Sequence, residues 1–181
     1  MSSTKGWTPL LWASLNGRLE VVQFLLSNGA EKEFDLPGGE TPLFLASLNG
    51  HCDVVKFLIC EGVDKETSNK AGLTPLYIAT QSGHVNVVEL LLSAGVKDKA
   101  ILGATSLYIA CQYGHLEIVK LLVTPGVVDE STKGTPLSIA CFCGRLDVVR
   151  LLVSLGGDVD EAFAAGATPL SSACNGGHLE M

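Results

Sequence analysis

Apolar residues fall in short bursts along the chain, each bounded by glycine and polar turns. In "GHVNVVELLLSAG", residues 83–95, Val87, Val88, Leu90, Leu91 and Leu92 recur at helical spacing between two glycines. A shorter burst precedes it, "PLYIATQS" from Pro75 to Ser82. The same pair of bursts recurs throughout. Thr-Pro-Leu begins at Thr8, Thr41, Thr74, Thr135 and Thr168, and Thr105 opens a variant with Ser106 in place of proline. The intervals are 33, 33, 31, 30 and 33 residues. Glycines keep the same register: Gly17, Gly50, Gly83, Gly114, Gly144 and Gly177 follow the six threonines by nine positions. A second set, Gly29, Gly62, Gly95, Gly126 and Gly156, follows by twenty-one.

Each unit has a direct physical reading. A threonine hydroxyl can accept from an amide one turn into a helix, and proline at the first helical position sacrifices no hydrogen bond. The first glycine suits the left-handed conformation that ends a helix, and the second stops the longer helix. A helix, a turn, a second helix and a turn-rich connector are therefore predicted for each unit. One such unit cannot bury its apolar face alone, so neighbours must stack.

The spacing, the Thr-Pro-Leu opening, "GHLEIVKLL" from Gly114 to Leu122, and the helix endings "SNGA" and "SAGV" together resemble the ankyrin repeat. The resemblance runs from about Gly6 to Glu180 and implies an all-α fold. Helix-turn-helix-loop repeats would stack into an elongated solenoid, joined by short turn or β-hairpin-like connectors. It implies a single array over 6–181, with units 6–38, 39–71, 72–102, 103–132, 133–165 and a partial 166–181, after a flexible N-terminus at 1–5. Where ankyrin repeats usually carry histidine after Thr-Pro-Leu, this chain has Leu11, Phe44, Tyr77, Tyr108, Ser138 and Ser171. The connectors before Thr105 and Thr135 are short, and Pro125 interrupts the end of the preceding helix. The ends look poorly capped, as in a segment of a longer array or a divergent product. Leu11 and Trp12 are expected to be exposed in the first unit, and residues 168–181 to fray.

Composition narrows the chemistry. With 47% hydrophobic residues the 181-residue chain can fill a core, and its net charge of -7 argues against phosphate-neutralising nucleic-acid binding. The same charge disfavours an acidic membrane surface. No apolar run approaches the roughly 20 residues of a membrane span, and the start lacks the unbroken apolar region of a secretory signal. A soluble chain in a reducing compartment is expected, cytoplasmic with the nucleus as the alternative. Six cysteines are present, but a chain of this size needs no disulfides. Cys111, Cys141 and Cys174 share one small-residue position with Ser14, Ser47 and Thr80, so all three are expected to be packed thiols. Cys52 replaces a core aliphatic residue, and Cys60 lies near a helix end. Cys141 and Cys143, two apart on a helix, point about 200° apart and cannot share a metal.

His51, His84, His115 and His178 all follow the first turn glycine, where Arg18 and Arg145 also stand. That equivalence points to donors for backbone carbonyls and not to ligands or bases. No nucleophile elbow, phosphate loop or zinc motif occurs, so neither enzymatic activity, nor a metal, nor a cofactor, nor a small-molecule substrate is expected. The resemblance implies a non-catalytic scaffold that binds a protein partner of unknown identity through its concave face and loop tips. The positions carried over are Trp7, Leu73, Ile101, Leu102, Gln112, Tyr113, Phe142 and Cys143. The alternative for these apolar residues is that they fold inward and cover the stack. The alternative for the whole chain is a regulatory or targeting segment of a larger enzyme or channel.

Overall fold

The computed structural model describes residues 6–97, 105–123, 135–160 and 168–178, with only the backbone of Thr135. Eleven α-helices and no strand occur among them. No helix among the described residues is long and apolar enough to cross a membrane. The chain divides into two compact bodies, Met1–Gly103 and Ala104–Met181.

The first body holds three helix pairs: α1 (Pro9–Leu15) with α2 (Leu19–Ser27), α3 (Pro42–Leu48) with α4 (Cys52–Cys60), and α5 (Pro75–Gln81) with α6 (Val85–Ser93). First helices pack on first helices, α1 on α3 and α3 on α5, while α4 lies between α2 and α6. The second body repeats the arrangement with α7 (Ser106–Tyr113) and α8 (Leu116–Leu122), α9 (Thr135–Phe142) and α10 (Leu146–Ser154), and α11 (Pro169–Asn175). Within it α9 lies between α7 and α11, and α10 packs on α8. Helix α8 is two residues shorter than α10. Pro125, the two short connectors and the 1–5 terminus lie outside the described residues.

The caps form as their residue types dictate. Thr8, Thr41, Thr74, Thr105 and Thr168 each accept, through the side-chain oxygen, from the amide three residues on, at 3.2 to 3.3 Å. Pro9, Pro42, Pro75 and Pro169 open their helices. At the last opening, Ser171 completes a reciprocal cap by accepting from the Thr168 amide at 2.9 Å. The connectors close as tight turns: Leu36 N donates to Glu40 O at 3.1 Å and Asn69 N to Leu73 O at 2.9 Å. One connector is tied to the next by Lys70 N donating to Gly38 O at 2.8 Å.

Replacing the histidine after Thr-Pro-Leu converts a polar position into an apolar one. Leu11, Phe44, Leu45 and Ile78 form one buried cluster, with Trp7, Leu15, Phe34, Leu36, Leu48 and Leu73 packed around it. Leu11 is therefore buried, contrary to the expectation from sequence; Trp12 beside it is exposed as expected. Being near the start of the array did not expose Leu11, because its side chain points toward the α3 neighbour and not away from it.

The small-residue position also divides. Ser14, Ser47 and Thr80 are buried with hydroxyls that no described group pairs, while Cys111 and Cys141 are buried in the second body. An unpaired buried hydroxyl costs roughly 1–3 kcal/mol. Ser47→Ala should accordingly raise the unfolding free energy by about 1 kcal/mol in urea titration; a loss of stability would show that the hydroxyl is paired. Cys174 departs from the register and is exposed. It lies on α11, after which no helix follows among the described residues to cover it. Cys52 is only half-buried, with its thiol 3.9 Å from the Asn86 carbonyl, so it sits at the rim of the α4–α6 contact and not in the core. Cys60 is exposed.

Candidate binding surface

Turns bring the candidate residues to the ends of the first helices, and side chains from the next repeat hold those turns. Gly50 ends the α3 turn at φ +73°. The His84 ring lies directly over it, and His84 Nε2 donates to the Leu48 carbonyl at 2.9 Å. His51 does the same one repeat earlier, donating to Leu15 O at 2.9 Å. Arg145 stands in for histidine in the second body, donating from Nε to Gln112 O at 3.0 Å. The recurrent position thus supplies carbonyl donors, as its exchange between His and Arg indicated, and each donor reaches back to the preceding repeat.

A second tie runs between connectors and helix ends. Lys32 Nζ donates to Glu61 O at 2.6 Å, and Lys65 Nζ to Ala94 O at 2.8 Å. Glu61 and Ala94 are the C-caps of α4 and α6. A cation there satisfies an unpaired carbonyl and complements the negative end of the helix dipole.

On this scaffold the candidate residues fall into two groups. Trp7 and Leu73, in the first body, are half-buried against the apolar cluster of Leu11, Phe44, Leu45 and Ile78. Their inner faces serve packing, and only their outer faces are open. In the second body, Tyr113 at the end of α7 is 43% exposed and Phe142 at the end of α9 is 49% exposed. The Tyr113 ring stacks parallel to His115, centroids 6.0 Å apart. Gln112 and Cys143 beside them are half-buried. Ile101 and Leu102 lie outside the described residues. Sequence reasoning missed Phe24 and Val21, which are exposed on α2. Their register was the available signal, since Val54 and Val87 are buried at the position that Val21 holds.

Cysteine environments differ sharply within this region. Burial pushes the Cys111 thiol up to about 12 and raises that of Cys141. Among the described residues no group of three His, Cys, Asp or Glu gathers that could hold a metal.

Paired helices with capped threonines, left-handed glycine turns and staples to the preceding repeat define a stacked helical-repeat protein. The profile described as ankyrin repeats (3 copies) matches residues 1–69, 43–130 and 93–162. The chain belongs to the ankyrin repeat family. It is also similar to the crystal structure of the human ASB11 ankyrin repeat domain, with 31% identity and a TM-score of 0.80, over 92% of this chain and 77% of that one. In all, 497 solved chains match, so the likeness marks a widely used scaffold and not one activity. Among curated proteins the search finds no match. Ankyrin repeats are in general non-catalytic modules of protein–protein interaction.

Proposed function

We propose that this chain binds a protein partner through the concave sides and loop tips of its repeats. The observation that carries the reading is the pair of exposed aromatics, Tyr113 and Phe142, at the ends of the adjacent first helices α7 and α9. Aromatic side chains in an exposed patch supply large contact area at low entropic cost, and such residues dominate binding energy at interfaces. Gln112 and Cys143 flank them, Trp7 and Leu73 offer their outer faces in the first body, and Ile101 and Leu102 complete the proposed set. The compartment proposed is the cytoplasm. The charge of -7 steers basic partners toward the chain and disfavours nucleic acid.

The test is affinity capture with the full chain and with a Tyr113→Ala, Phe142→Ala double variant. The variant is expected to lose the captured partner while its far-UV circular dichroism stays unchanged, since both side chains are about half exposed. Loss of about 2 kcal/mol or more is the scale for two anchor aromatics. Retained capture would exclude this surface.

A further inference from the structure

The turn donors of the two bodies differ in what they leave free. In the first body an imidazole uses both nitrogens against the turn it closes. His84 Nε2 donates to Leu48 O at 2.9 Å, and Nδ1 lies over the glycine, where a Cβ on Gly50 would stand 2.5 Å from it. His51 sits the same way over Gly17. In the second body Arg145 holds the turn after α7 with one nitrogen of its three. Its Nε donates to Gln112 O at 3.0 Å, and its Cδ covers Gly114, where a Cβ would lie 2.8 Å away. Both terminal Nη groups are left without a partner among the described residues, on a side chain that is exposed.

Nearby acids do not take up these donors. Glu117 pairs with Lys120 at 2.7 Å, and the exposed Asp147, two residues along the chain, makes no described ion pair with Arg145. The cation is held beside the two exposed aromatics. Its anchor is the carbonyl just before Tyr113, and its own backbone follows Phe142 by three residues.

We propose, resting on the partner-binding reading above, that this turn recognises a carboxylate: the partner's segment bears an aspartate or glutamate next to the apolar residue that packs on Tyr113 and Phe142. A guanidinium is planar and permanently charged, and its paired Nη donors match the two oxygens of a carboxylate. The Nε bond and the packing over Gly114 fix the fork before binding, so little side-chain freedom is lost on contact. A basic residue at the same place would meet a like charge. The net charge of -7 acts at a distance and governs encounter, whereas Arg145 acts in contact and governs which side chain is accepted beside the aromatics.

The test begins with selection of a random dodecapeptide phage library on the immobilised full chain. Enriched sequences should place Asp or Glu beside an aromatic or aliphatic residue. A synthetic peptide from the selection should lose about tenfold in affinity when its carboxylate is replaced by the amide, and about as much against Arg145→His. The two changes together should cost no more than either alone. Histidine is the chosen replacement because it closes the same turn in the first body, so the melting profile should not move. If it does move, the acid and amide peptides compared on the wild-type chain decide the matter. The Tyr113→Ala, Phe142→Ala variant should lose the peptide altogether. Apolar peptides without enriched Asp or Glu, or an amide peptide that binds as tightly as its acid, would overturn the carboxylate site and leave the partner-binding surface standing. Peptides that bind the aromatic double variant as they bind the wild type, or a selection that enriches nothing, would overturn both.

Discussion

Gly50→Ala is expected to destabilise the chain by about 3 kcal/mol, whereas Gly95→Ala should cost only about 1 kcal/mol. Both glycines have positive φ, +73° and +83°, so an alanine meets the same backbone penalty at either site. Their surroundings differ. A Cβ on Gly50 would lie 2.5 Å from His84 Nδ1, while one on Gly95 has nothing within 4 Å. At position 50 the methyl displaces the imidazole and breaks its 2.9 Å bond to Leu48 O, leaving a half-buried turn carbonyl without its donor. Urea midpoints of the two variants measure the difference. A double-mutant cycle with His84→Ala assigns it: removing the ring first should reduce the cost of Gly50→Ala to that of Gly95→Ala. Equal costs for the two glycine variants in the wild-type background would show that the histidine ring does not hold the turn.

Timed alkylation of the native chain at pH 8 should divide five of the cysteines into classes. Cys60 and Cys174, both exposed, should react first, and Cys143 well before Cys141. Cys111 should react only through unfolding. The thiolate is the nucleophile, and raising a thiol from 9.0 to about 12 lowers its thiolate fraction at pH 8 about a thousandfold, before burial limits access. The sign follows from the cause: burial disfavours the charged form, so alkaline pH is needed to generate it. Peptide mass spectrometry after a quenched time course reads each site. Cys141 modified as fast as Cys143 would contradict the burial that separates them, and rapid native labelling of Cys111 would contradict its enclosure.

The parts of this architecture that depend on local geometry were legible in the sequence. A threonine three residues before the amide it caps, proline at a first helical position and glycine at positive φ are all decided within one turn, and Thr41, Pro42 and Gly50 behave as their types require. The register between repeats added the stacking and, through the exchange of His for Arg at one position, the carbonyl-donor role of His51 and His84. What failed was exposure, which is set by neighbours. Leu11 looked exposed because its repeat comes first, yet its side chain points to the second repeat and is closed by Phe44 and Trp7. Cys174 shares its register with Cys111 and Cys141 but not their cover. In the candidate surface, Tyr113 and Phe142 are exposed where helix ends face outward, whereas Trp7 and Leu73 are half absorbed by an apolar cluster. That cluster arises from the absent histidines: once Leu11 and Phe44 replace a polar side chain, the connector residues above them gain an apolar floor.

The backward reach of the histidines also orders events during synthesis. The turn after α1 receives its donor from His51, 36 residues after Leu15, and the turn after α3 waits for His84, 36 residues after Leu48. At roughly 5–20 residues per second, each turn emerges about 2 to 7 s before the ring that completes it. Nascent chains would therefore carry one unfinished repeat at their growing end, each sealed by its successor.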